Sequence, residues 1–478
     1  MNTPFSRHLT AEAPLMRRLI DRLGADFEYV SVLSTDSVGF SLRVTPRVKR
    51  LTRQTMTTER GHVARLYRDG CYFEYAFNEV DADSIDGTAT EIIDAYRRQQ
   101  GLLRELGIEP YETACLPDPP DTLDVAYETE LLPEDEDLSA LVKRLDELAE
   151  KGMREGKQLV DFSLSVQSTH ISKMFQTRKR DLRQSYVYSE GNAVAFASDG
   201  EQVKVAYDGV SGRVGPELFD RALEGKVNDV LRISGDLLKA ERVTPGTYDI
   251  ITAPDVTGLI AHEAFGHGVE MDMFVKRRAL GAEYIGKRVG SPLVTMHEGA
   301  KCAVDVTSYA FDDEGTPAGD VTEIENGILR TGICDALSAL RLGVQPTGNG
   351  KRENFEHKAY TRMTNTVFDS GTDTLDEMIA SIEHGYLLSG IDSGMEDPKH
   401  WGIQCIVSRG YEIAGGKLTG KVIAPVVMTG YVPDLLNSVS MVSKDREVFG
   451  TGGCGKGHKE WVKVADGGPY LKARANLG

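Results

Sequence analysis

Apolar positions recur at helical spacing in some stretches of the chain and alternate or run together in others. Leu15, Met16, Leu19, Ile20 and Leu23 mark one buried stripe, predicting a helix from a Thr10 cap to Gly24. A second helix is predicted over about Thr90 to Leu106, ending at Gly107 ahead of the proline-rich linker Leu116-Pro-Asp-Pro-Pro-Asp121. Leu138, Leu141, Val142, Leu145 and Leu148 predict a third, with the acidic run Glu134 to Asp137 as its first turn, where negative charge suits the helix dipole. A fourth opens at Pro216 and runs toward Lys239.

Between the helices the pattern is extended. His62 to Tyr67 and Cys71 to Phe77 flank a hairpin turn at Arg68-Asp69-Gly70, and Leu159 to Tyr207 reads as a meander turning at Glu190-Gly191-Asn192 and Asp199-Gly200. Tyr248 to Thr252 predicts a strand feeding another helix, with Asp255 as its cap. Strands and glycine-rich loops follow, with a hairpin signal at Glu325-Asn326-Gly327. Helices scattered among antiparallel strands indicate an α+β fold rather than a doubly wound sheet. At 478 residues the chain exceeds the usual reach of one core, so two domains are expected. These are an N-terminal α+β domain over 1–240, with a possible subdivision near 116–125, and a C-terminal β-rich domain over 241–478.

The chemistry concentrates in that second half, at Leu259-Ile-Ala-His-Glu-Ala-Phe-Gly-His-Gly-Val-Glu270. His262 and His267 offer two imidazole ligands, and Glu263 beside them offers a base, the combination a catalytic zinc site asks of a helix. The two histidines are five residues apart rather than the four of His-Glu-x-x-His. On a regular α-helix five residues rotate a side chain by roughly 140° net, pointing the rings apart. A wider π-type turn returns them to within roughly 50° of each other, so a widened turn is predicted between them, with Gly266 easing the backbone.

A third ligand is required, and Cys454 in Gly450-Thr-Gly-Gly-Cys-Gly-Lys-Gly-His458 is the candidate, with Glu270 and His458 as rivals. Glu270 suits better the role of orienting a ring by accepting its other N–H. The same loop nearly spells a phosphate-binding loop. Gly457 stands where a magnesium-binding hydroxyl is needed, however, and Trp461 to Val464 look extended rather than helical, which excludes ATP.

Charge and cysteine usage narrow the setting. A formal charge of −18 argues against a nucleic-acid partner. No apolar stretch reaches the ~20 residues that span a bilayer. Arg7, His8, Glu12, Arg17 and Arg18 stand where a signal peptide would carry its apolar core, so a cytoplasmic protein is expected. The six cysteines include no Cys-x-x-Cys pair, in keeping with reduced thiols.

Taken together, His-Glu-Ala-Phe-Gly-His-Gly-Val-Glu270, Asp312-Asp313-Glu314-Gly315, Arg362-Met-Thr-Asn-Thr366 and Gly453-Cys-Gly-Lys456 resemble, in this order, the TldD/PmbA family of metallopeptidases. The likeness runs from about Pro245 to the C-terminus and is looser before it. It implies a catalytic TldD-type subunit that binds Zn2+ through His262, His267 and Cys454, with Glu263 as general base. It implies too that the substrates are unfolded peptides or peptide precursors, and that the chain works as a homodimer or as a heterodimer with a PmbA-like relative that lacks the metal motif. His458 stands where the resemblance implies glutamine. Asp313 and Asn365 are candidates for supporting or substrate-binding roles, the first against the reading of a solvated acidic loop and the second against that of a turn residue. Edge-strand addition would capture peptide backbone regardless of sequence. The competing functions are an amidase acting on a non-peptide substrate and a scaffold subunit stapled by its metal.

Overall fold

The strand Tyr29–Val44 is buried on both faces along nearly all its length, and this sets the layering of the first half of the chain. Its even-numbered Val30, Val32, Phe40, Leu42 and Val44 lie under helices, while Leu33 packs with Ala310 and Phe311 from the second half. The computed structural model describes residues 1–456 and 459–478. In it, eight strands from the first half form one sheet, in the order Cys71–Phe77, Arg60–Arg68, Tyr29–Val44, Leu159–Thr177, Arg180–Ser198 and Asp121–Ala126, with Lys49–Thr52 and Val203–Gly212 paired alongside. Helices Arg7–Leu23 and Ile85–Glu105 cover one end of the outer face, and Leu138–Glu155 and Glu217–Leu237 cover the other. Asp121–Ala126 joins this sheet in parallel with Arg180–Ser198, so the proline-rich stretch before it does not split the layer.

Several boundaries differ from expectation, each for a local reason. The first helix starts at Arg7 because Ser6, not Thr10, is the cap, its Oγ accepting from Leu9 N at 3.1 Å. The second begins at Ile85 rather than near Thr90. Asp137 caps the third, accepting from Ser139 N and Ala140 N, which is how the acidic run serves it. Glu190-Gly191-Asn192 is no turn. It lies inside a 19-residue strand whose partner, Leu159–Thr177, is equally long, and the chain reverses between Thr177 and Arg180. Gly191 is small because the helix above presses on it: a Cβ there would stand 3.3 Å from both Leu223 Cδ1 and Val166 Cγ1. The turns at Asp69-Gly70 and Asn326-Gly327 form as expected, with all four residues at positive φ.

The second half builds an eleven-stranded sheet. Within it Gly246–Thr252, His384–Asp397, Gly402–Ala414, Val426–Tyr431 and Ala465–Leu477 pair in sequence, and the last returns to the first, closing a ring around an apolar core. Trp401, Phe265, Leu388 and Val407 are among the residues that fill this core. The architecture is α+β, with antiparallel sheets dominant. Among the described residues no helix is long and apolar enough to cross a membrane.

Candidate metal centre

Strand Gly246–Thr252 leads into the helix Pro254–Leu259, and its continuation Ile260–Phe265 is π-helical before tightening to a 3₁₀ turn at Gly266–Val269. The widened turn required by the five-residue spacing is therefore present. It carries both rings to one side, with centroids 5.2 Å apart and planes at 83°. Asp255 is not the cap of this helix. Ala253 takes that position, and the Asp255 carboxylate accepts from Val256 N at 2.8 Å and Gly390 N at 2.7 Å, tying the helix to the strand beside it. Gly266 does not ease the backbone either, since its φ of −57° is ordinary for any residue. It is needed for space: a Cβ would meet Met363 Sδ at 2.3 Å and Ala261 O at 3.0 Å.

Cys454 lies on a two-stranded hairpin, Gly453–Lys456 against Lys459–Lys463, opposite Val462. Its Sγ is 3.3 Å from His267 Nε2, and one donor atom each from His262, His267 and Cys454 lie within 4.8 Å of one another. The flanking glycines make room for Trp461 across the hairpin, because a Cβ at Gly453 would fall 2.4 Å from its Nε1 and one at Gly455 would fall 2.9 Å from its Cε3. Burial opposes charge on the Cys454 thiol, yet His262 and His267 together bring it down to about 4. Burial likewise opposes protonation of His262, but Cys454 and Glu263 push it up to about 9. The donors thus lower one another's cost of ionisation, and a cation arriving among them meets a thiolate. Around tetrahedral zinc, with bonds of roughly 2.0–2.3 Å, neighbouring ligand atoms sit roughly 3.3–3.6 Å apart. The sulfur–nitrogen separation matches, and two imidazoles with one thiolate are a donor set zinc accepts.

Glu263 faces the same cleft, its carboxylate oxygens 3.9 Å from His262 Nε2 and from His267 Nε2. Glu270 lies behind His267 rather than in front: its Oε2 accepts from Nδ1 at 2.8 Å, leaving Nε2 directed at Cys454. Burial raises the cost of its charge, but Lys456, His267 and Arg362 hold it far below the usual carboxylate range. Sequence reasoning assigned no role to these supporting cations. Lys456 Nζ lies 2.9 Å from Glu270 Oε2 and 2.5 Å from Asp272 Oδ1, and Arg362 Nη2 donates to Cys454 O at 2.6 Å, so both brace the hairpin against the histidine turn. Position within the quoted motifs was the only signal for either.

Asp313 and Asn365 lie away from the cleft. Asp313 is buried, pairing with Lys173 and accepting from Arg352 N at 2.8 Å where the two sheets' layers meet, so neither it nor its neighbours Asp312 and Glu314 form a solvated loop. Asn365 is fully buried and bonded to Thr307 Oγ1 and Gly299 O, inside a strand rather than a turn. His458 lies outside the described residues.

Two imidazoles and one thiol beside a partly exposed carboxylate, on an α+β scaffold, form a cradle that can hold a divalent cation next to a base. Residues 245–474 match the model of the PmbA/TldA metallopeptidase C-terminal domain. A metalloprotease of Methanothermobacter thermautotrophicus is 30% identical over 59% of this chain and 61% of its own. The zinc metalloprotease TldD homolog of Saccharolobus solfataricus is 31% identical over 50% and 52%. The chain thus spans between half and two thirds of the length of these curated relatives. TldE from Thermococcus kodakarensis has the same fold, with a TM-score of 0.77 at 17% identity over 97% of this chain and 100% of that one. The C-terminal half of the chain, residues 245–474, is thus similar to the metallopeptidase domain of the TldD/PmbA family, and the chain as a whole shares the fold of TldE.

Proposed function

We propose that this chain is a zinc metallopeptidase that cleaves peptide bonds in unfolded peptides or peptide precursors, with His262, His267 and Cys454 as ligands and Glu263 as general base. The observation that carries the reading is the convergence of the three donors beside Glu263 in a cleft of about 960 Å³. Zinc, when bound, would polarise the scissile carbonyl and acidify the attacking water. Glu263, with its side chain 21% exposed, reaches into the cleft to take the water's proton and return it to the leaving amine. Glu270 fixes the tautomer of His267, and Arg362 holds the Cys454 backbone.

A route for substrate follows from the strand His384–Asp397. It pairs with Gly246–Thr252 only over Gly385 to Leu388, so beyond Ile391 one edge has no strand partner among the described residues. That stretch borders the cleft, and Gly394 lies so close to Glu263 that a Cβ would stand 2.6 Å from its Cγ. A peptide adding as a strand there would bring its backbone past Glu263 and its side chains past the exposed Met395, tolerating varied sequences. The working unit in this reading is a cytoplasmic dimer, of two identical chains or with a PmbA-like relative, and the shared fold with TldE supports it.

The test is cleavage of casein and of a random peptide library, read by mass spectrometry, for the wild type and Glu263→Gln. The expected result is new peptide termini with the wild type alone, while both proteins hold the same zinc. Absence of new termini with zinc-loaded wild type, in the presence of any partner it co-purifies with, would count against peptide hydrolysis and favour an amidase or a scaffold.

A further inference from the structure

A second cluster of metal-ligating side chains lies in the first half of the chain, under the N-terminal helix. His8 and Glu12, one turn apart on Arg7–Leu23, place Nε2 and Oε2 3.3 Å apart. From the strand Arg60–Arg68, His62 brings its Nε2 to 2.9 Å from the same Glu12 oxygen. The three donor atoms lie within 4.8 Å of one another.

The orientation of His62 is set from behind. Its Nδ1 lies 2.7 Å from Ser34 Oγ on the neighbouring strand, and its ring stacks on Phe77 at 5.1 Å and 29°. A histidine held at Nδ1 by a hydroxyl presents Nε2 forward, the arrangement found behind metal-bound imidazoles. His62 is fully buried, and the side chains of Glu12 and His8 are 12% and 30% exposed. Among the described residues, His8 Nε2, Glu12 Oε2 and His62 Nε2 are all buried, and none meets a partner with hydrogen-bond alignment, the 2.9 Å contact included. Three buried polar atoms that converge without an aligned hydrogen bond leave part of their desolvation uncompensated, and one divalent cation between them would satisfy all three.

We infer that His8, Glu12 and His62 form a second divalent-cation site, distinct from the Cys454 centre. Two imidazoles and one carboxylate suit a borderline ion, zinc foremost, and leave a fourth position to solvent. Leu9, Met16, Leu19 and Ile20 pack the helix on the sheet by apolar contact. A metal linking its first turns to the buried His62 would pin the helix in rotation and register, which apolar packing specifies less sharply.

Cobalt(II) replacing zinc in the full-length protein tests this, because the two sites differ in colour. Thiolate ligation gives a near-ultraviolet charge-transfer band, and a site of nitrogen and oxygen gives only weak visible bands. The wild type is expected to bind about two ions per chain, one at each cluster of donors. His8→Ala and Glu12→Gln should each lose one ion and keep the near-ultraviolet band, whereas Cys454→Ala should lose the band and keep one ion. His8 is partly exposed and Glu12→Gln is isosteric, so both variants are expected to fold, which circular dichroism after chelation checks. Saturation of the wild type at one ion with the band intact would overturn the second site and leave the Cys454 centre standing. Unchanged stoichiometry in both His8→Ala and Glu12→Gln would equally overturn it, as adventitious binding elsewhere.

Discussion

Replacing Glu270 by Gln probes how far the metal centre depends on groups that do not touch the metal. Glu270 is fully buried, and its Oε2 serves two partners at once, His267 Nδ1 at 2.8 Å and Lys456 Nζ at 2.9 Å. Glutamine keeps the shape and one acceptor oxygen but removes the charge, so His267 retains a weaker orienting bond and Lys456 retains only Asp272 of its two carboxylates. Loss of such an orienting partner typically weakens metal affinity by about 10–100-fold, or about 1.4–2.7 kcal/mol. The centre is expected to lose affinity in that range, measured by competing zinc away with a chromophoric chelator. Glu263→Gln in the same assay should stay within about threefold of the wild type, since a base that is not a ligand contributes little to metal binding. Affinity unchanged in Glu270→Gln would refute the claim that this carboxylate sets the geometry of His267. A loss as complete as that of His267→Ala would show that Glu270 is itself a ligand.

Zinc affinity should rise with pH between 6 and 9. His262 is pushed up to about 9 and His267 well above its ordinary value, so the metal-free centre holds protons at neutral pH that binding must expel, while Cys454, at about 4, is already a thiolate. Each expelled proton steepens the dependence by about tenfold per pH unit, levelling once pH passes the imidazole values. Calorimetric titrations in buffers of different ionisation enthalpy count those protons, and a pH-independent affinity would contradict the assignment. Gly266→Ala should destabilise the protein by about 1–3 kcal/mol in urea denaturation, because its Cβ meets Met363 Sδ at 2.3 Å. Stability equal to the wild type would show that the turn has more room than its contacts indicate. Arg65→Ala leaves the buried Glu314 without its ion-pair partner and Glu74 with Arg352 alone, and should cost about 3–5 kcal/mol. A cost below about 1 kcal/mol would mean water reaches that layer interface.

Local signals in the sequence carried some of this structure and not the rest. The five-residue spacing of His262 and His267 was enough to require a π turn, because helix geometry relates ring direction to residue count. Gly266 was read as backbone freedom when it is a steric gap, since the atom it avoids, Met363 Sδ, belongs to a loop about a hundred residues away. The hairpin turns at Gly70 and Gly327 were legible because positive φ is a local demand. Gly191 was misread for the opposite reason: nothing near it in sequence announces Leu223 pressing from the helix above. Asp313 and Asn365 were candidates for supporting or substrate-binding roles, weighed against a solvated loop and a turn, and they are buried, one at a layer interface and one in a central strand. Lys456 and Arg362 went unassigned because their partners, Glu270 and the Cys454 carbonyl, come together only through long-range strand pairing.

The most direct test of the account is zinc K-edge absorption on His8→Ala protein loaded with one equivalent of zinc, compared with the same protein also carrying Cys454→Ala. The expected first shell contains one sulfur at about 2.3 Å and nitrogen at about 2.0–2.1 Å, and the sulfur contribution disappears with Cys454. A shell of nitrogen and oxygen alone in the protein that retains Cys454 would contradict the metal centre described here.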